Sequence, residues 1–188
     1  AVVHWGRAFE GGAAPAFWPW LPPLRALAAA RPADAPPLAA ELDALVSHSV
    51  AGADNPAGAG EAGAVGGFPE LARFTLIEAV VALLAEASAD RPVLLVLDDV
   101  QWADPASLDL LAATMARVPD LPLLVAVTVR ELEVGRNDAV VDTLAALTRR
   151  TGTRRLRLRG LPGSGTAALV ARTTGRPATD AEVAAIHA

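Results

Sequence analysis

Two patterns of apolar positions alternate along this chain, short continuous runs and runs that step by three or four, and they predict strands interleaved with helices. Val2 to Gly6 reads as a short strand. Gly11 to Pro15 follows as a loop, and Ala16 to about Ala29 as a weak helix interrupted by Pro19, Pro22 and Pro23. Pro36-Pro37 opens a second helix carrying Leu38, Leu42, Leu45 and Val46. Ser49 to Gly67, rich in Gly and Ala, is expected to be mobile. Leu71, Phe74, Ile77, Val81 and Leu84 then mark one stripe of an amphipathic helix. Val93-Leu94-Leu95-Val96-Leu97 is an unbroken apolar run, the pattern of a strand buried on both faces of a parallel sheet. Asp104-Pro105 reads as the N-cap and first residue of a helix whose buried face is Leu108, Leu111, Met115 and Val118. Leu121 to Val129 is another apolar strand, and Val140, Leu144 and Leu147 mark another helix. Arg155-Leu156-Arg157-Leu158-Arg159 alternates strictly, as a half-exposed edge strand does. Short helices at about Ser164 to Thr173 and Thr179 to His187 complete the pattern. Strands alternating with helices imply the α/β class, with a parallel sheet joined by crossover connections.

Composition narrows the partners. The 188 residues suffice for one domain and a small appendage, and 53% of them are apolar, many of them Ala. A net charge of −5 argues against a nucleic-acid-binding surface on this segment. With no cysteine there is no disulfide framework or thiolate metal site, so a reducing cytoplasm is the expected location. No apolar run approaches the roughly 18 to 20 residues of a membrane span. The opening residues lack the layout of a signal peptide and read as the middle of a fold. His4, His48 and His187 are scattered without metal-ligand spacing.

The chemistry concentrates where the apolar run meets Asp98-Asp99. In open α/β sheets ligands bind at the carboxyl ends of the strands, and paired acids there suit a cation or polar ligand. The run looks like a Walker B element, in which Asp98 would hold Mg²⁺ and Asp99 would polarise an attacking water. An acidic helix-capping turn is the alternative. All sixteen basic residues are arginine. A P-loop, G-x-x-x-x-G-K-[ST], needs its lysine on the β- and γ-phosphates. Either the nucleotide reading is wrong or the chain is a fragment. Gly160-Leu161-Pro162-Gly163-Ser164-Gly165-Thr166-Ala167 has P-loop glycine spacing. Thr166 replaces the lysine, however, and Ala167 the metal-binding hydroxyl, so this stretch reads as a hinge.

Four stretches resemble the ATPase domain of the STAND class of P-loop ATPases, above all the AAA-type module of large LuxR-type transcription regulators. His4-Trp5-Gly6-Arg7 through Ala14-Pro15-Ala16-Phe17-Trp18-Pro19-Trp20 resembles the family's "GR…E…APAYWPW" segment after the second strand. Leu94 to Leu108 resembles its "LLVLDDLHWAD..SL" stretch, Val125 to Glu131 its "TYRD" sensor strand, and Leu156 to Leu161 the start of its helical lid. The resemblance implies a partial P-loop (AAA-type) parallel sheet flanked by helices over residues 1–159, with the start of a helical lid over 160–188. It implies ATP and Mg²⁺ as cofactors in the intact parent, with Asp98 at the metal, Asp99 as general base and Arg130 sensing the γ-phosphate. It further implies a regulatory ATPase switch whose DNA-binding output lies in a downstream domain, with nucleotide and sister domains as partners and no membrane. Asp104 reads as a helix cap, and Trp102 as packing its loop onto the sheet. Phe17, Trp18 and Trp20 read as anchors, a peptide or effector contact being the alternative. An internal fragment that lacks the P-loop is expected to bind ATP poorly and to be marginally stable. The rival readings are a degenerate ATPase fold serving as a protein-interaction scaffold and a receiver-type phosphotransfer domain. The second needs a lysine that this chain lacks.

Overall fold

The computed structural model describes residues 1–10, 14–47, 70–118, 120–130, 133 and 137–187. Part of the Gly11–Pro15 loop, the Ser49–Gly67 segment, His48 and Glu131 lie outside the described residues. The chain divides into two compact units, Ala1–Thr153 and Arg154–Ala188.

In the first unit β1 (Val2–Arg7), β2 (Val93–Asp98) and β3 (Leu123–Val127) form one parallel sheet in that order. Parallel neighbours require crossovers. The β1–β2 connection carries α1 (Leu21–Ala29), α2 (Ala40–Ser47) and α3 (Glu70–Ser88); the β2–β3 connection carries α4 (Pro105–Arg117), and α5 (Asp138–Thr148) follows β3. Leu95 and Leu97 of β2, with Leu123, Val125 and Val127 of β3, pack into one core with Leu24, Leu76, Val80, Leu84, Leu111 and Val140 of these helices. The register Val3–Leu94–Leu124 runs along the other face of the sheet, where Val3, Trp5 and Leu124 are exposed. β2 is therefore buried as its sequence predicts, while its two neighbours are half-covered.

Prolines explain the departures near the start. The expected helix from Ala16 is split into a 3₁₀ turn, Trp18–Trp20, and α1. Pro22 and Pro23 fall in the first turn of α1, where a missing N–H costs no helical hydrogen bond. The second helix begins at Ala40, not at Pro36. In α3 the face is rotated from the expected stripe: Leu71 and Phe74 are exposed, and Leu76, Ile77, Val80, Leu83 and Leu84 are buried. This helix is apolar on most sides, so stepping by three or four does not select one face. Phe74 instead lies under the Arg117 guanidinium, 5.7 Å from its ring centre, a cation–π arrangement.

The predicted strand Arg155–Arg159 does not form. Those residues carry no strand hydrogen bonds and are all exposed, Leu158 at 91%. Alternation supplies an apolar edge, but a strand also needs a neighbouring backbone, and among the described residues the sheet ends at β3. The second unit holds α6 (Gly163–Thr174) and α7 (Asp180–His187). A reciprocal capping box opens α7. Thr179 N–H donates to Glu182 Oε2 at 2.8 Å, and Glu182 N–H to Thr179 Oγ1 at 3.3 Å. Arg176 also binds Glu182, and that hydrogen bond with those from Thr179 pulls the carboxyl down to about 2.

Candidate functional site

Parallel neighbours end together, so the ladder itself assembles the site. Arg7, last in β1, lies in register with Asp98, last in β2. Thr128 follows β3 directly, and its N–H donates to the Leu97 carbonyl at 3.1 Å. Beyond Asp98 the chain turns sharply, with Asp99 in the left-handed region at φ 56° and ψ 39°. Asp is among the few non-glycine residues that tolerate this conformation, which still costs about 1–3 kcal/mol. A hydrogen bond from the Asp99 backbone N–H to the Thr128 side-chain Oγ1, 2.9 Å, helps hold the turn.

That turn swings the Asp99 carboxylate back over the sheet end. Its Oδ2 accepts from Arg7 Nε at 3.0 Å and Nη2 at 2.6 Å. Its Oδ1 accepts from Gln101 Nε2 at 3.1 Å and lies 3.4 Å from Arg130 Nε. Gln101 in turn accepts the Arg130 backbone N–H at 3.2 Å. Burial pushes the Asp99 carboxyl up, but hydrogen bonds from Gln101 and Arg7, and the charges of Arg7 and Arg130, outweigh it. The net effect holds the group below the ordinary aspartate value. The hydrogen bond to Asp99 correspondingly raises Arg7.

Asp98 is placed differently. The Thr128 hydroxyl donates to its Oδ1, while its Oδ2 lies 3.7 Å from Arg7 Nε. Its side chain is 22% exposed against 12% for Asp99. The more open carboxylate is thus the one with an oxygen to offer. A hard oxygen donor of this kind fits Mg²⁺, which typically keeps several waters and takes one or two carboxylates together with phosphate oxygens. No cluster of three His, Asp or Glu exists among the described residues to hold a metal by protein ligands alone. Asp98 would hold the ion, and the ion would supply charge neutralisation for a polyphosphate. Both oxygens of Asp99 are engaged, Oδ2 by two hydrogen bonds from Arg7 and Oδ1 by one from Gln101.

The three residues singled out in the sequence, Asp98, Asp99 and Arg130, are brought together. Arg130 is paired with Asp99. Sequence reasoning missed Arg7, Gln101 and Thr128. Arg7 and Gln101 stand inside the strings that carry the family resemblance, and Arg7 ends the strand, which places it at the carboxyl end with the acids. Thr128 had no signal beyond a hydroxyl just past an apolar run. Asp104 caps α4, its Oδ1 accepting from Ser107 N–H at 2.9 Å, and also fastens the aromatic segment by accepting from Phe17 N–H at 3.1 Å. Trp20 is fully buried and donates through Nε1 to the Ser107 carbonyl at 3.1 Å. Trp102 packs partly buried against the core. In the glycine-spaced stretch α6 starts at Gly163, and Thr166, in the place of lysine, is buried.

No helix among the described residues is long and apolar enough to cross a membrane. Neither curated proteins nor solved structures gave a match. A family model described as AAA ATPase domain matches residues 1–126. That span holds β1 with Arg7, the Phe17–Trp20 segment, β2 with Asp98 and the turn with Asp99; Thr128 and Arg130 lie just beyond it. A three-stranded parallel sheet flanked by helices, with an acidic pair closing its middle strand, accords with a P-loop NTPase-like fold. With well over half its length inside that match, the chain belongs to the AAA ATPase domain family.

Proposed function

We propose that these residues form the carboxylate and sensor half of an ATP-binding regulatory switch, in a signal-transduction protein of the STAND class, most plainly a LuxR-type transcription regulator. The observation that carries the reading is the cluster at one sheet end: Asp98 open to a cation, Asp99 held by Arg7 and Gln101, and Arg130 beside them. Asp98 holds Mg²⁺-ATP, Asp99 orients the hydrolytic water once released, and Arg130 reads the γ-phosphate, where a guanidinium fork suits phosphate oxygens. Residues 1–159 act as the core and 160–188 as the start of a helical lid. Nucleotide occupancy shifts the population of two arrangements, and a downstream domain reads the result on DNA. The phosphate cradle comes from outside these 188 residues, which contain no lysine. The chain alone therefore binds ATP poorly. Calorimetry tests this: no micromolar Mg²⁺-dependent ATP binding is expected, and such binding by the 188 residues contradicts the assignment of the cradle to another segment.

A scaffold reading draws on the missing lysine and on the full engagement of Asp99. An intact G-x-x-x-x-G-K-[ST] before Ala1 in the gene disfavours it, and a P-loop there without its lysine favours it.

A further inference from the structure

Arg7 faces both acids. Its Nε lies 3.0 Å from Asp99 Oδ2 and 3.7 Å from Asp98 Oδ2, and its Nη2 lies 2.6 Å from the same Asp99 oxygen. Asp98 Oδ1 already accepts from the Thr128 hydroxyl, so Oδ2 is the oxygen left for a cation. An ion on that oxygen, at the Mg–O bond length of about 2 Å, would stand no more than about 6 Å from Arg7 Nε. Two positive centres repel at that separation, which is inside the Debye length of about 8 Å, so salt screens them little. Asp98 can therefore serve the guanidinium or a metal at full strength, but not both.

Of the two, Arg7 is the group free to yield. Asp98 ends the middle strand, and its carboxylate is fastened by Thr128. Arg7 ends an edge strand, and its side chain is 63% exposed, so its charged head can swing into water on a flexible stem at little cost. Both of its hydrogen bonds to Asp99 land on Oδ2, so its departure uncovers that oxygen. Asp99 Oδ1 keeps Gln101 at 3.1 Å and Arg130 at 3.4 Å, and the Asp99 backbone N–H keeps Thr128. The carboxylate stays in place while one of its oxygens becomes accessible to water.

We propose that Arg7 is a positioning residue that couples the two acids, covering Asp99 Oδ2 while Asp98 holds no metal and leaving it when Asp98 takes a divalent cation. This deepens the switch reading and rests on its assignment of Asp98 to the metal. Linkage makes the competition reciprocal: what the cation does to Arg7, Arg7 does to the cation. Removing the Arg7 charge should therefore tighten metal binding. An arginine that merely held the sheet end together would have the opposite effect, because its loss would loosen the site.

The test adds MgCl₂ over the millimolar range to the isotopically labelled 188-residue chain, at neutral pH and constant ionic strength. The ¹³C carboxyl shift of Asp98 reports occupancy, and the side-chain ¹⁵Nε–H signals of Arg7 and Arg130 report their contacts. In the unsubstituted chain the Arg7 signal should shift in step with Asp98 and exchange faster with water, while the Arg130 signal moves less. Asp98→Asn should abolish the Arg7 response. Arg7→Met should bind Mg²⁺ about tenfold more tightly, a coupling of ordinary size between two sites. Arg7→Lys keeps the charge without the guanidinium fork and should stay within about threefold of the unsubstituted chain. A saturable Asp98 response with an unmoved Arg7 signal, or equal or weaker Mg²⁺ binding in Arg7→Met, overturns the proposal and leaves the metal assignment standing. An Asp98 signal that never saturates, with Arg7 present or replaced by Met, overturns both.

Discussion

The carboxyl end of the sheet and the Arg154–Leu161 stretch both set arginines beside apolar residues, yet their side chains meet different fates. At the sheet end, Arg7 and Arg130 come from segments far apart in sequence and converge on Asp99, whose side chain is mostly buried. From Arg154 to Leu161 every residue is exposed, Leu156 and Leu158 included. The difference lies in the backbone ladder. β1, β2 and β3 end together, so hydrogen bonding between strands has already placed the charges before any ion pair forms. Partly desolvated charges held in fixed positions interact strongly, whereas the same arginines in water are screened and worth little.

Four substitutions probe that contrast, from the largest expected effect downward. Gly6→Ala should disturb the sheet end most. A Cβ there would stand 1.7 Å from the Pro19 carbonyl oxygen, so the aromatic segment must move away from β1. A loss of about 3 kcal/mol is expected, the upper range for overpacking, read as a lowered urea midpoint. An unchanged midpoint means that Pro19 and β1 are not in contact. Thr128→Val keeps the shape and removes the hydroxyl, leaving Asp99 N–H and Asp98 Oδ1 without their partner. It should cost about 1–3 kcal/mol.

Arg7→Met separates charge from packing. The carboxyl of Asp99 is depressed when folded, so its ion pairs contribute stability above the ordinary value of 3.8, and that contribution is lost as pH falls through the lower folded value. Without Arg7 the folded value should rise, visible in the ¹³C carboxyl titration of Asp99, and the loss of stability below about pH 4 should shrink. An unmoved titration means that Gln101 and Arg130 alone set the value. Leu158→Ser, in the exposed stretch, should shift stability by less than about 0.5 kcal/mol. A larger loss would show that this leucine is covered in solution.

The same contrast separates what was legible in the sequence from what was not. The buried middle strand, its acidic tip and the Asp104 cap were readable because each is a local signal: an apolar run, a charge at its end, an N-cap before proline. Arg130 was placed near the acids by family resemblance. The exposed Phe74 and Leu71 were misassigned because a helix apolar on most sides does not announce its buried face. The arginine-leucine stretch was read as a strand because alternation is local, while the neighbour that a strand needs is not. Arg7 and Thr128 escaped for a related reason. Their role comes from sheet register, which joins residues some 90 and 30 positions from the acids and leaves no mark on either segment alone.

The claim on which the rest depends is that Asp98 and Asp99 divide the handling of a metal-bound triphosphate between them. The direct measurement joins these residues to the P-loop strand proposed to precede them and compares Asp98→Asn with Asp99→Asn for Mg²⁺-ATP affinity and turnover. Asp98→Asn should weaken Mg²⁺-ATP binding at least about tenfold, as expected for a lost metal contact. Asp99→Asn should leave affinity within a few-fold and slow hydrolysis on the order of a hundredfold, as expected for a lost general base. Equal affinity and equal turnover in the two variants would contradict the division of roles.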